Sequence, residues 1–449
     1  MKQTILICCI IFITGFANGR IWTDLQGRKI DAEILIVNRN KTVVLKTARG
    51  KTAAVPFDTF SDQDIRHLEH LIDRNEREKL HPVSWQELND LFNIEIWQDA
   101  FLWDDATAET AERMKLKAES KTDFMENHRA YPLGDEKILD EPVYASALYG
   151  GSNSVESLSF VFLNQGDMPL IGGPKTLKKI EECGERIHDA LVSKLGKAKR
   201  DSLGKEDLRE RVWRWDWNQH AIMLSLQEGK YVALRIMPSE RADRSGRIRR
   251  VKDDEIRKRV ATCVEQRSNG DVVVRNIPMI DQGPKGYCSP ATWERYLRFL
   301  DIPVDMYLLA LAANTKIGGG TYSTKMLEAT ENIISSNGRK LKKVDEEISP
   351  NAIAKYIDQG LPIMWRFLSS PHFQQVADSN TAQRKGEDFE QKDVPAGGIG
   401  GHICLIIGYN RQTGEIAISD SWGPKYAERW VPAHEAQRVS FGLMNVIKW

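Results

Sequence analysis

The chain has 449 residues, of which 41% are hydrophobic and 28% charged, and its 63 basic and 63 acidic side chains cancel. That length exceeds one ordinary core and suggests about two to four domains. The composition is that of a globular protein, and a balanced charge gives no global basic field to draw in nucleic acid or an anionic membrane.

The first residues read as an export signal. Lys2 gives a positive start, residues 5–16 (ILICCIIFITGF) are apolar, and Ala17-Asn18-Gly19 places small residues where a signal peptidase inspects them. Cleavage is expected after Gly19. The run is shorter than the roughly 18 apolar residues of a membrane span, and no later segment is long and apolar enough. The expectation is a secreted or periplasmic protein without stable membrane insertion after signal removal. Beyond the signal four cysteines remain, Cys183, Cys263, Cys288 and Cys404. They are too few for a disulfide scaffold, and no Cys-x-x-Cys or His/Cys cluster marks a zinc site. With one of them a catalytic thiol, at most one bridge can form, and Cys183 with Cys263 is the least awkward pairing.

Residues 20–75 read as a small β module, with strands around 21–24, 30–37, 43–45 and 52–56 separated by polar turns at Gly27, 38–41 and Gly50. The pattern Arg20-Ile-Trp-Thr-Asp, Gly27-Arg28, Val43-Val44-Leu45, Val55-Pro56 and Phe60-Ser61-x-x-Asp64 resembles the SH3-like module first described in an actin-assembly adaptor. The resemblance implies a small barrel with a binding or spacer role and names no ligand, a protein being the partner such a module could take. Residues 76–140 are charged, with helical runs over 85–92 and 106–119, and read as a helical connector. Residues 141–270 read as an α+β unit. Strands are expected over 143–149, 155–163, 212–217, 221–226 and 231–237, with a helix from Pro174 whose apolar residues Leu177, Ile180, Ile187, Leu191 and Leu195 recur at helical spacing. Trp213, Trp215 and Trp217 project to one side of their strand. A stripe covered by that helix is favoured over a sugar-stacking platform, because aromatic side chains mostly carry core area. Residues 241–259 are dense in charge and read as a solvated loop and helix. No internal repeat or low-complexity tract is present.

Residues 271–449 carry the chemistry. In I-D-Q-G-P-K-G-Y-C-S-P-A-T-W-E-R-Y-L-R-F-L, Cys288 ends a glycine-rich loop and opens a helix with Trp293, Tyr296, Leu297 and Leu300 on one face. Pro290 suits the first turn, where its missing N–H costs nothing. A cysteine at a helix N-terminus feels the positive end of the macrodipole, which favours the reactive thiolate. Gln282, six positions earlier, can fold back to donate its amide to an oxyanion beside the Cys288 N–H. A second segment, Gly400-Gly401-His402-Ile403-Cys404-Leu405, opens an apolar strand with a histidine, and the preceding glycines leave room around the ring. A turn over 410–414 and a returning strand over 415–419 bring Asp420-Ser421-Trp422-Gly423 back to its level. A carboxylate there would accept from Nδ1–H and leave Nε2 facing the thiol, with Trp422 covering the bond. Residues 318–321 (GGGT) read either as a cleft wall or as a plain interhelix loop. Residues 369–396 read as a polar surface loop or lid, in which His372 is a remote rival base.

Gln282, Cys288 six positions on at a helix start, Gly-His402 on a strand and Asp420-Ser-Trp-Gly after a hairpin are together similar to the papain-like cysteine peptidases. The resemblance implies an α+β fold with an N-terminal helix packed on an antiparallel sheet, and a peptide or protein substrate with no cofactor. It assigns Cys288 as nucleophile, His402 as base, Asp420 as the residue orienting the base, and Gln282 as oxyanion donor. Plant and lysosomal members carry Cys-Gly-Ser-Cys-Trp and place Asn at the third position. Gly286-Tyr-Cys-Ser-Pro-Ala-Thr and Asp420 instead resemble the bacterial branch that trims bacteriocin leader peptides. Two alternatives stay open: a cell-wall amide hydrolase or transglutaminase-like acyl transferase on the same residues, and a secreted binding or scaffold protein retaining an inactive papain-like domain.

Overall fold

The computed structural model describes residues 20–38, 41–47, 49–77, 81–99, 102–151, 154–167, 173–204, 208–227, 230–246, 251–284, 286–315, 320–388 and 399–449. The expected signal, residues 1–19, lies outside them. The chain forms two compact units, one running through Trp85 with residues 99–101, the other formed by residues 86–98 and 102–449.

In the first unit, strands Arg20–Thr23, Lys29–Asn38, Thr42–Thr47 and Thr52–Pro56 pair in chain order as an antiparallel meander. The sheet is open, whereas a closed barrel was expected from the sequence. Its apolar face is covered instead by the chain that follows: Phe57, Phe60 and Leu68 of the helix Asp62–Arg77 pack with Trp22, Val37, Val43 and Leu45. Asp64 ties helix to sheet by accepting from Thr23 N at 2.8 Å.

The second unit contains two eight-stranded sheets and a separate two-stranded pair. The middle sheet runs in the order Lys199–Leu203, Glu210–Trp217, His220–Gln227, Tyr231–Pro238, Val155–Asn164, Ala145–Gly150, Glu126–Ala130, Lys117–Lys121, all antiparallel. Its last two strands fall where a helical connector was expected. The helix there, Thr107–Arg113, ends early because Lys115 turns left-handed at φ 56°. The following charges are buried in pairs rather than solvated: Arg129 Nε lies 2.9 Å from Glu119 Oε1. The long helix Gly173–Leu195 buries Ile180, Ile187 and Leu191 on the sheet, and its His188 packs on Trp213 and Trp215. The tryptophan stripe is therefore covered. Trp217 is buried too, and the Arg200 guanidinium lies 3.7 Å over the Trp213 ring.

The C-terminal sheet runs Val264–Gln266, Asp271–Val274, Gly400–Asn410, Ile363–Ser369, Ser440–Lys448, Lys340–Val344, with Glu415–Ser419 and Arg429–Pro432 added beside Gly400–Asn410. Trp293, Tyr296 and Leu297 of the helix Cys288–Phe299 share one core with Ile363, Trp365, Phe367, Leu405 and Ile406 of the sheet. Full burial of each such side chain stabilises the fold by roughly 1.5–3 kcal/mol. Ile256 and Val260 of the helix Asp253–Thr262 belong to this core as well, so that helix is not merely solvated.

The polar stretch after Ser369 is not a loop throughout. Ser370 Oγ caps the helix Pro371–Lys385 by accepting from Phe373 N at 3.2 Å, Phe373 and Ala377 enter the core, and Gly386 ends the helix at φ 68°. His372 is exposed on it, and residues 389–398 lie outside the described set. Cys183 and Cys263 do not pair. All four cysteines among the described residues are free. Among the described residues no helix is long and apolar enough to cross a membrane.

Candidate active site

Cys288 is the first residue of its helix, so its N–H has no acceptor one turn back. The side chain is half-buried. Two polar residues on the face below it lock the helix to the sheet. Thr292 Oγ1 donates to Ile403 O at 3.2 Å, and Arg295 donates to Pro278 O at 2.8 Å and to Ser419 Oγ at 2.5 Å. Burial drives the Arg295 guanidinium down to about 10, partly offset by the charge of Asp420.

The hairpin register brings Leu405 opposite Ser419, so Asp420 comes opposite Cys404, on the face that carries His402. His402 Nε2 and Asp420 Oδ1 are 2.9 Å apart, and both side chains are fully buried. The ring is therefore turned the other way from the expectation. Nε2 is spent on the carboxylate, and Nδ1 has no partner among the described residues other than the nearby Cys288 thiol. Trp422 stacks on the imidazole at 4.6 Å and Phe367 meets its edge at 5.4 Å, excluding water from the His402–Asp420 pair. The two glycines before His402 do not make this space: Gly401 is open, and Gly400 is required by its own φ of 109°.

Arg429, which no sequence reading singled out, holds the other side of the carboxylate. Its Nη2 and Nε lie 2.6 and 3.2 Å from Asp420 Oδ2, and its Nη1 donates to Gln374 Oε1 at 2.7 Å and Asp378 Oδ1 at 3.0 Å. Gln282 is buried, with its N–H on Ser421 O at 2.8 Å and its Oε1 accepting from Trp422 Nε1 at 3.1 Å. An indole N–H can only donate, so this bond fixes the amide with Nε2 as its donor end. Gly320 N–H donates to Gly286 O, two residues before Cys288, while residues 316–319 of the glycine-rich segment lie outside the described set.

The electrostatics follow from this packing. Burial disfavours a Cys288 thiolate, but the polar contact and charge of His402, with backbone N–H groups of Ile403 and Ser289, outweigh it and lower the thiol. Burial likewise disfavours a charged His402, yet Asp420 and Cys288 raise it to about 9. Burial would raise Asp420, and Arg429 with His402 brings it down to about 2. Burial raises the three other thiols. Among the described thiols only Cys288 is lowered, and it lies beside the raised His402.

This pairing sets a pH dependence. His402 is raised above its ordinary 6.5, so its stabilising contribution is complete below 6.5 and lost as pH rises through about 9. Asp420 is depressed, so its contribution is present above 3.8 and lost as pH falls through about 2. A reaction that draws on the His402 proton should fall on an alkaline limb near pH 9. Iodoacetamide alkylation of Cys288, which needs only thiolate, should persist above it. The two rates measured from pH 5 to 10 check this, and coincident alkaline limbs would contradict it.

A cysteine at a helix start, facing a histidine on an antiparallel sheet, is the arrangement of papain-like cysteine peptidases, and the protein is a cysteine-type peptidase. Residues 274–442 match the model of the Peptidase_C39 like family, a stretch that contains Gln282, Cys288, His402, Asp420 and Arg429. Among solved structures, xylellain, a cysteine protease from Xylella fastidiosa, is similar at 13% identity over 42% of this chain and 88% of its own, with a TM-score of 0.28. No curated protein matches the chain.

Proposed function

We propose that residues 271–449 hydrolyse peptide bonds by acyl transfer through Cys288, His402 and Asp420, with Gln282 in the oxyanion hole. The Cys288 thiolate attacks the peptide carbonyl carbon, and the carbonyl electrons move to oxygen, where the Gln282 amide and the Cys288 N–H receive them. His402 Nδ1 gives its proton to the leaving amine as the C–N bond breaks, forming a thioester. Water then attacks the thioester with Nδ1 taking its proton, and the acid leaves as thiolate and imidazolium are restored. Asp420 holds the ring through Nε2 and stabilises its charge. The observation that carries this reading is the buried chain from Arg429 through Asp420 and His402 to the one thiol held below its ordinary value.

The export signal at residues 1–19 supports action outside the cytoplasm, on secreted or envelope peptides. The four-stranded N-terminal unit, with its SH3-like sequence pattern, serves as a binding module for a protein ligand. The test is selective alkylation. Iodoacetamide at pH 7 should label Cys288 alone among the four mature-chain thiols, by peptide mass mapping, and abolish cleavage of a peptide library in step with labelling. Full cleavage by labelled protein would remove the proposal.

A further inference from the structure

The loop between Val274 and Cys288 has no helix or strand to hold it, yet it carries Gln282 and ends at the nucleophile. Besides Arg295, Ser421 and Trp422, its supports come from the middle sheet and the residue that follows its strand Glu126–Ala130. Both main-chain groups of Asp281, the residue before Gln282, are taken: Tyr131 Oη donates to Asp281 O at 2.5 Å, and Asp281 N donates to Glu119 Oε1 at 2.8 Å. Glu119 is itself fixed by Arg129, and Met279 N donates to Ser120 Oγ at 2.9 Å. At the far end, Tyr287 packs with Ala145, Val161 and Ala233 of the middle sheet, and Asn164 Nδ2 donates to its hydroxyl at 2.8 Å. The seat is shaped for that ring, since a Cβ on Gly166 would stand 2.0 Å from the Tyr287 oxygen.

We propose that the middle sheet is a structural half of the catalytic centre, in which Tyr131 and Glu119 are positioning residues that set the Gln282 amide through the main chain of Asp281. The proposal rests on the acyl-transfer reading above. An oxyanion donor is useful only within about half an ångström of the developing charge, and displacement by about 1 Å can cost about 100-fold. Gln282 itself is bound to the peptidase turn, its N–H donating to Ser421 O and its Oε1 accepting from Trp422 Nε1. The clamp on Asp281 supplies the opposing hold. A middle domain that merely accompanied the peptidase would have no reason to saturate both polar groups of this one residue.

The test is Tyr131→Phe in the full chain, which deletes one donor and no packing volume. Four quantities are read: kcat and KM on a cleaved peptide, the affinity of a peptide aldehyde whose thiol adduct develops an oxyanion, and the Cys288 alkylation rate by iodoacetamide, which needs no oxyanion hole. Expected are a kcat lowered at least tenfold, a KM within about twofold, an aldehyde affinity falling in parallel with kcat, and an unchanged alkylation rate. A kcat within twofold of wild type, or an alkylation rate that falls together with kcat, would overturn the proposal. Wild-type protein that is neither alkylated at Cys288 nor active on any peptide would remove the peptidase reading and this inference with it, a result recognisable without any substitution at Tyr131.

Discussion

Replacing Cys288 with alanine should lower peptide hydrolysis by a factor on the order of 10⁶, the loss expected when the nucleophile of a coupled triad is removed. Every later step in the proposed reaction depends on the bond that its sulfur forms, so His402, Asp420 and Gln282 can contribute only a remnant without it. The substitution costs little elsewhere. Cys288 is half-buried at the first position of its helix, and the fold is held by Trp293, Tyr296 and Leu297 beneath. Melting temperature and peptide affinity should therefore stay near wild type while turnover disappears. A second readout comes from His402, which owes part of its rise to about 9 to the thiol. In Cys288→Ala the ring keeps Asp420 but loses the thiolate, and its NMR titration should shift to lower pH. Normal turnover by the variant would end the cysteine mechanism, and an unmoved His402 titration would deny the contact between the two residues.

How much of this was legible in the sequence depends on whether a residue's partner lay nearby in the chain. Cys288 announced itself through a glycine-rich loop running into a helix, and Asp420 through a hairpin whose register can be counted from His402. The ring orientation could not be counted. It depends on Phe367 and Trp422 closing over the imidazole from separate segments. Thr292 and Arg295 left a faint signal, since they stand four and seven residues after Cys288, on its own face of a helix otherwise given to the core. Arg429 left none: Asp420 stands nine residues before it with no counted register to pair them, and Gln374 and Asp378 come from a helix 55 and 51 residues away. The misread strands Lys117–Lys121 and Glu126–Ala130 fail for the same reason. Their charges look solvated until Arg129 meets Glu119 and Glu119 receives the Asp281 N–H.

Arg429→Met should destabilise the protein more than any substitution at the reacting atoms. Methionine fills much of the same volume but leaves Asp420 Oδ2 and Asp378 Oδ1 without the guanidinium that satisfied both, in a place where Arg429 is only 3% exposed. Stripping one member from a buried ion pair typically costs about 3–5 kcal/mol, because the remaining charge stays desolvated. Arg429→Lys should recover only part, since one ammonium cannot reproduce the fork that meets Asp420 through two nitrogens and Gln374 through a third. The pH signature distinguishes this from simple packing loss. Asp420 is held at about 2 chiefly by Arg429, working against burial. Without the arginine its folded value rises toward or past 3.8, so the variant lacks at neutral pH the stabilisation that wild type keeps there and gives up as pH falls from 3.8 through about 2. Melting curves at pH 7 and pH 4 should show the gap between variant and wild type changing as the carboxyl takes up its proton. The gap should narrow at pH 4, because a neutral Asp420 no longer needs the missing charge. A gap equal at both pH values would mean that Arg429 acts through packing alone, and melting within a degree of wild type at pH 7 would deny it any hold on the site.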